Sequence, residues 1–251
     1  MDLPYTLTTE RRAQIGLIVL QSDETIEPDM RRLIPPEVEL LVSRVPSGTS
    51  VSQDSLAAME SVLAQAASLL PNGARLSVTG YGCTSGTAQI GPTRISELVR
   101  AGVQTPKVTE PVSAVISACR ALDLRKIGLI SPYVRSVSDR LTEVLGTNGI
   151  EVPCFASFNE PLEEDVARIA PNAIVAAACE MARTEEADVI FLSCTNLRTL
   201  DIIDEIEAET GKAVLSSNQV LAWNLLRLAG LSATTDAPGK LWNADADCDI
   251  A

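Results

Sequence analysis

The chain has no histidine among its 251 residues. That absence removes Ser-His and Cys-His nucleophilic pairs, imidazole metal ligands and the usual general base near neutral pH. Proton transfer must then come from cysteine, a perturbed carboxyl group, lysine, tyrosine or water. Positive charge is also scarce: 20 Lys and Arg stand against 33 Asp and Glu, a net charge of −13 that argues against a nucleic-acid or anionic-membrane partner. A small anionic substrate is not excluded, because backbone N–H groups at a helix start can override the global field locally. No apolar run is long enough to span a membrane, and the start Met1-Asp2-Leu3-Pro4-Tyr5 lacks the basic-then-apolar plan of a signal peptide. A cytoplasmic chain with no membrane contact is expected. The six cysteines (83, 119, 154, 179, 194 and 248) follow no short-spaced disulfide or zinc pattern, so thiols are expected. The full dinucleotide fingerprint and the phosphate-loop Gly-Lys-Ser/Thr are missing too, and isolated cysteines without histidine make a poor metal site. No cofactor is expected.

What is present is an ordinary globular composition, 46% hydrophobic and 21% charged, in a chain long enough for two lobes. Apolar runs at Ile15–Leu20, Val38–Val45, Ala74–Thr79, Pro106–Thr109, Lys126–Ile130, Ile150–Phe155, Val189–Ser193 and Ala213–Ser216 read as strands. Helical patterns fall between them, the clearest over Ser52–Leu70, where Leu56, Met59, Leu63, Ala66, Ala67 and Leu70 share one face. A Gly-rich bend is expected after Cys83, with the next helix near Thr93–Ala101. Alternation of this kind predicts parallel sheets covered on both sides.

The plan repeats. Ile15-Gly16-Leu17-Ile18 returns as Ile127-Gly128-Leu129-Ile130, 112 residues later, and the corner at Cys83-Thr84 returns as Cys194-Thr195, 111 residues later. The predicted fold is therefore α/β, with two pseudo-symmetric Rossmann-like lobes and a site in the cleft between them. Residues 14–111 plus 215–231 are assigned to the first lobe, 112–214 to the second and 232–251 to a polar, solvated tail closing on alternating acids. Ligands of such sheets bind beyond the carboxyl ends of the strands, where both cysteines lie.

Cysteine is a common small core residue, but the matched placement of Cys83 and Cys194 makes them the candidate catalytic pair. A helix N-terminus at each corner would favour the thiolate and lower its pKa. Thr84, Ser85, Thr195 and Asn196 suit helix caps and equally offer donors to a carboxylate. Ser22 and Asp23 end the first strand, and Tyr133 ends its counterpart. Asn159 closes the loop after the sixth strand. Arg198, near Cys194, is a candidate partner for a substrate anion.

These residues carry a resemblance. Ile-Gly-Leu-Ile-Val-Leu-Gln-Ser-Asp-Glu-Thr (15–25), Gly-Tyr-Gly-Cys-Thr-Ser-Gly-Thr (80–87), Ser-Pro-Tyr (131–133), Ser-Phe-Asn-Glu (157–160), Ser-Cys-Thr-Asn-Leu-Arg-Thr (193–199) and Val-Leu-Ser-Ser-Asn-Gln (214–219) resemble the aspartate/glutamate racemase superfamily. The likeness runs from about Ile15 to Ala229. It is to the maleate cis–trans isomerase and arylmalonate decarboxylase branch, and most specifically to the EutA group encoded with ectoine-utilisation enzymes. The resemblance implies cofactor-free chemistry beside a carboxylate, with Cys83 matching the first cysteine and Cys194 the second. It further implies that Tyr133 and Asn159 contact substrate, and that Thr84, Ser85 and Thr195 bind its carboxylate. Three positions depart from pattern: Asp23 stands where the isomerases carry Asn, Asn196 where the racemases often carry His, and both cysteines are present where the decarboxylases keep one.

The leading expectation is a two-cysteine racemase or epimerase acting next to the carboxylate of a small amino-acid derivative, in ectoine breakdown. A maleate-type cis–trans isomerase with Cys83 as nucleophile is the alternative, and a non-catalytic small-carboxylate binder is the rival from another class. A homo-oligomer, dimer or tetramer, is expected.

Overall fold

The computed structural model describes residues 1–234 and 236–243. Its first parallel sheet comprises β1 (Gln14–Leu20), β2 (Glu39–Val45), β3 (Leu76–Gly82) and β4 (Val108–Thr109), in the order β2-β1-β3-β4. The second comprises β5 (Lys126–Ser131), β6 (Glu151–Ser157), β7 (Val189–Leu192) and β8 (Ala213–Ser216), in the order β6-β5-β7-β8. The two orders are identical, as the internal repeat requires. The central strands are buried along nearly their whole length because helices cover both faces, which is why they read as unbroken apolar runs.

The helices are α1 (Ile26–Leu33), α2 (Gln53–Ala58), α3 (Glu60–Ser68), α4 (Thr84–Ile90), α5 (Pro92–Gly102), α6 (Pro111–Ala121), α7 (Arg135–Thr147), α8 (Glu163–Val166), α9 (Pro171–Ala182), α10 (Ile203–Thr210) and α11 (Ser217–Ala229). Two of them tie the sheets together by crossing over. α6 leaves β4 of the first sheet, yet its Val112, Val115, Ala118 and Cys119 share a core with Ile127, Leu129, Phe191 and Leu215 of the second. α11 leaves β8 of the second sheet, yet it packs on β3. Gly80 makes that approach possible: a Cβ there would lie 3.3 Å from Leu225 Cδ1 and 3.2 Å from Leu17 Cδ1. The crossover brings the start of α11, and with it Ser217 and Asn218, to the cysteine ends of both sheets.

Several sequence expectations need correction. The single helix expected over Ser52–Leu70 is two, broken at Met59, whose buried side chain meets the Tyr81 hydroxyl (3.6 Å to Sδ). The bend expected after Cys83 is the helix α4, started by Cys83 itself as N-cap. The short helix α8 was not expected at all. No helix starts directly at Cys194: residues 194–199 are irregular, and a 3-10 turn at Leu200–Ile202 precedes α10. The two cysteine corners are therefore equivalent in the sheet but lead into different backbone, a helix after Cys83 and an irregular segment after Cys194. The supposed solvated tail is docked, in its described residues, as far as Trp242. Leu241 is fully buried, Gln219 Nε2 donates to Pro238 O (2.7 Å), and the Lys240 N–H donates to Glu207 Oε2 (3.0 Å). The alternating acids from Ala244 onward, and Cys248, lie outside the described residues. Among the described residues no helix is long and apolar enough to cross a membrane.

Candidate active site

The carboxyl ends of β1, β3, β5 and β7 converge on one buried polar cluster. Cys83 follows β3 and is 5% exposed; its Sγ accepts the Gly86 N–H of α4 at 3.2 Å. Gly86 has to be glycine for this contact, since a Cβ there would lie 2.9 Å from Cys83 Sγ and 2.8 Å from Tyr81 Oη. Cys194 follows β7 and is 4% exposed; its Sγ accepts the Asn196 N–H at 3.3 Å and sits 3.1 Å from Tyr133 Oη. The Tyr133 hydroxyl, beyond β5, in turn donates to Glu163 Oε1 (2.9 Å).

Glu163 is the residue that sequence reasoning missed. It opens α8, is 4% exposed, and its second oxygen accepts from Asn196 Nδ2 at 3.0 Å. Asn196 also donates to the Glu163 carbonyl (2.9 Å), while its Oδ1 accepts the Glu24 N–H (2.9 Å) and its carbonyl the Thr25 hydroxyl (3.0 Å). One amide side chain thus joins the loop after β1, the corner after β7 and α8. In the sequence Glu163 is one of three consecutive acids, Glu163-Glu164-Asp165, which read as a solvated run. The available signal was its spacing to Val166, three positions on, with which it shares the buried face of α8.

The remaining candidates divide. Asp23 is 3% exposed; its Oδ1 accepts the N–H groups of Thr25 and Ile26, both at 2.8 Å, and caps α1. Its Oδ2 is buried without a hydrogen-bond partner. The Thr195 hydroxyl donates to the Gly82 carbonyl (3.3 Å) and also faces the Asp23 carboxyl. The Thr84 hydroxyl is committed to Ser217 at the start of α11 (2.7 Å). Ser85 is half-buried beside Cys83. Ser22 is held by Ser47 at 3.1 Å, outside this network. Asn159 is exposed in the loop after β6, in the left-handed region (φ 55°), and its N–H donates to Ser157 Oγ (2.9 Å). Arg198 is exposed, with its Nε on the Ala167 carbonyl at 2.9 Å.

The electrostatics reverse one expectation. Burial, the largest cause, pushes the Cys83 thiol up to about 12, and the Glu163 and Asp23 carboxylates add to it. The Gly86 N–H and the Tyr81 hydroxyl oppose the shift without overcoming it. Cys194 is raised well above the ordinary thiol value by burial and by the same two carboxylates, against hydrogen bonds from Tyr133 and Asn196. The helix start at Cys83 therefore does not make that cysteine a resting thiolate, nor does the Asn196 N–H make one of Cys194: desolvation outweighs one N–H donor. Burial likewise raises Asp23 and Glu163, and the Asp23 carboxylate raises Glu163 further. The site holds two thiols and two carboxyl groups that are all pushed toward their protonated forms. Among the described residues no group of three His, Cys, Asp or Glu side chains is arranged to hold a metal ion.

The chain is 25% identical to maleate isomerase of Nocardia farcinica over 247 residues, covering 92% of this chain and 96% of that one. It is 29% identical to arylmalonate decarboxylase of Bordetella bronchiseptica over 219 residues, covering 86% and 90%. The fold matches the structure of a C-to-S mutant of Nocardia farcinica maleate cis–trans isomerase carrying a covalently bound succinylcysteine intermediate, with a TM-score of 0.79, 24% identity and coverage of 92% and 98%. The arylmalonate decarboxylase family model matches residues 15–242, nearly the whole chain, and the protein belongs to that family.

Proposed function

We propose that the protein is a cofactor-independent cis–trans isomerase of a small unsaturated dicarboxylate of the maleate type, with Cys83 as nucleophile and Cys194 as its proton partner. The observation that carries this reading is the burial of both thiols after corresponding strands of two sheets, with the same two carboxyl groups, Glu163 and Asp23, acting on each. In the proposed reaction the Cys83 thiolate adds to one alkene carbon. The π electrons move to the neighbouring carbon, where the adjacent carboxylate delocalises them. The former double bond, now single, rotates, and expulsion of the thiolate leaves the trans isomer. If the carbanion takes a proton from the Cys194 S–H, the adduct is a succinylcysteine, and Cys194 must take that proton back before the C–S bond can break. The relatives named as maleate isomerases support this version over the racemase expectation, and none of them bears on a role in ectoine breakdown.

Because burial holds Cys83 protonated, attack requires proton loss first, and kcat should rise with pH through the neutral range. The testing experiment is proton NMR in D₂O with maleate, aspartate, glutamate and diaminobutyrate derivatives. Conversion of maleate to fumarate, abolished in both Cys83→Ser and Cys194→Ser, is the expected result. Loss of an α-proton signal from an amino acid would restore the racemase reading. Silence across the panel, with both thiols inert to alkylation, would favour a binding protein.

A further inference from the structure

The charge around the two thiols is unusual for a site that takes a dianion. Glu163 and Asp23 both act on Cys83 and on Cys194, and Asp23 acts on Glu163. No cation appears among the groups acting on Cys83, Cys194, Tyr133 or Glu163. Arg44, whose guanidinium acts on Asp23, stands behind the loop after β1. It is spent on the carbonyls of Leu20 (2.9 Å) and Asp23 (3.0 Å) and on the Glu27 carboxylate. A dicarboxylate entering here with both acids ionised would place four negative charges in a low-dielectric pocket, each pair repelling strongly.

The hydrogen-bond inventory offers a way out. Asp23 Oδ2 is buried with no hydrogen bond, because the Thr195 hydroxyl that faces this carboxyl is turned to the Gly82 carbonyl, while Oδ1 already accepts two N–H groups. An orphaned buried oxygen of that kind costs free energy unless something meets it. Glu163 uses one lone pair on each oxygen, for Tyr133 and Asn196, and keeps one on each. A proton on either acid turns the free position into an O–H donor, which is what a substrate carboxylate needs.

We propose that Asp23 and Glu163 are the substrate-carboxylate receptors of the site and work as carboxylic acids, so that a diacid binds together with protons from solvent. This rests on the dicarboxylate reading above. The balance is simple: one solvent proton joins each carboxylate that was ionised in the empty site, and the new O–H donates to a carboxylate oxygen of the substrate. The titratable groups facing this pair are Cys83, Cys194, Tyr133 and Tyr81, which stay protonated, with Asp29 behind Asp23 on α1 and Arg44 on β2. The same feature sets specificity. A monoacid with a positive group would compete for the ionised form of the site, and a diacid for the protonated form.

The experiment is isothermal titration of the full-length protein with succinate, a saturated diacid that cannot react, in two buffers of different ionisation enthalpy between pH 6 and 8. The expected result is net uptake of about one proton or more per site, with the Kd for succinate rising by up to about tenfold per pH unit for each proton taken up. Asp23→Asn and Glu163→Gln should each reduce the uptake and flatten the pH dependence, while circular dichroism verifies their folding. Succinate binding with no proton uptake in the wild type would overturn the proposal and leave the isomerase reading intact. Failure of succinate and maleate to bind at any pH would instead refute the dicarboxylate reading, and the proposal with it.

Discussion

Asp29 offers a clean test of how burial sets ionisation at this end of the molecule. It lies on α1, 7% exposed, and its Oδ2 accepts from Asn218 Nδ2 at 2.9 Å. Burial is the largest cause acting on it and lifts its pKa from 3.8 to about 6; Asn218 and Arg32 oppose, while Asp23 and Asp201 add to the rise. The folded-state value lies above the unfolded one, so folding favours the protonated carboxyl. The stability that this contributes is fully present below about pH 3.8 and is lost as pH rises to about 6. The difference of roughly 2 units corresponds to ~3 kcal/mol of penalty on the ionised form above that window. Asp29→Asn keeps an oxygen to accept from Asn218 and never ionises. It should therefore stabilise the protein by ~3 kcal/mol at pH 8, a rise in Tm of about 6–12 °C for a chain of this size, and by only ~1 kcal/mol at pH 4.5. Urea denaturation or calorimetry at the two pH values measures it. A variant no more stable than wild type at pH 8, or a gain that does not change with pH, would show that burial does not penalise the ionised form of Asp29.

Gly86→Ala should cost about 1–3 kcal/mol by overpacking against Tyr81 and Met59. It should also displace the Cys83 thiol enough to lower kcat/KM by roughly 100-fold; steady-state kinetics beside a melting curve separates the two effects. Tyr133→Phe removes a hydroxyl that favours the Cys194 thiolate, so the pH profile of Cys194 alkylation should move upward in a Cys83→Ser background. An unchanged profile would mean that Tyr133 does not act on this thiol. Leu225→Ala, in the crossing helix where it meets Gly80, should destabilise the protein by ~2–5 kcal/mol with little change in KM. A loss under ~1 kcal/mol would show that the crossover is not a main tie between the sheets.

Much of this fold was legible because its central strands are buried on both faces and so stand out as short apolar runs; Ile15–Leu20 and Ala213–Ser216 lie within a residue of β1 and β8. The repeat made the matching strand orders an expectation rather than a surprise. What escaped were features decided by contacts distant in sequence. Met59 breaks an otherwise continuous helical pattern where Tyr81 meets it from β3. The corner after Cys194 is irregular because Asn196 spends its backbone and side chain on Glu24, Thr25 and Glu163, leaving no helix start there. Glu163 was missed because its one local signal, the spacing to Val166, is faint in a run of three acids, and its partners lie 30 and 33 residues away. The thiol electrostatics failed for a related reason: a sequence gives the N–H donor at a helix start but not the depth of burial that outweighs it.

Covalent addition at Cys83 is tested most directly by intact-mass analysis of the Cys194→Ser protein after incubation with maleate, completed by peptide mapping. With the proton partner removed, an adduct formed at Cys83 and protonated on carbon by solvent should persist. The expected result is a mass increase of one maleic acid located on the peptide that contains Cys83, and none in Cys83→Ser. An unmodified Cys83, together with undiminished turnover of maleate in Cys83→Ser, would rule this nucleophile out.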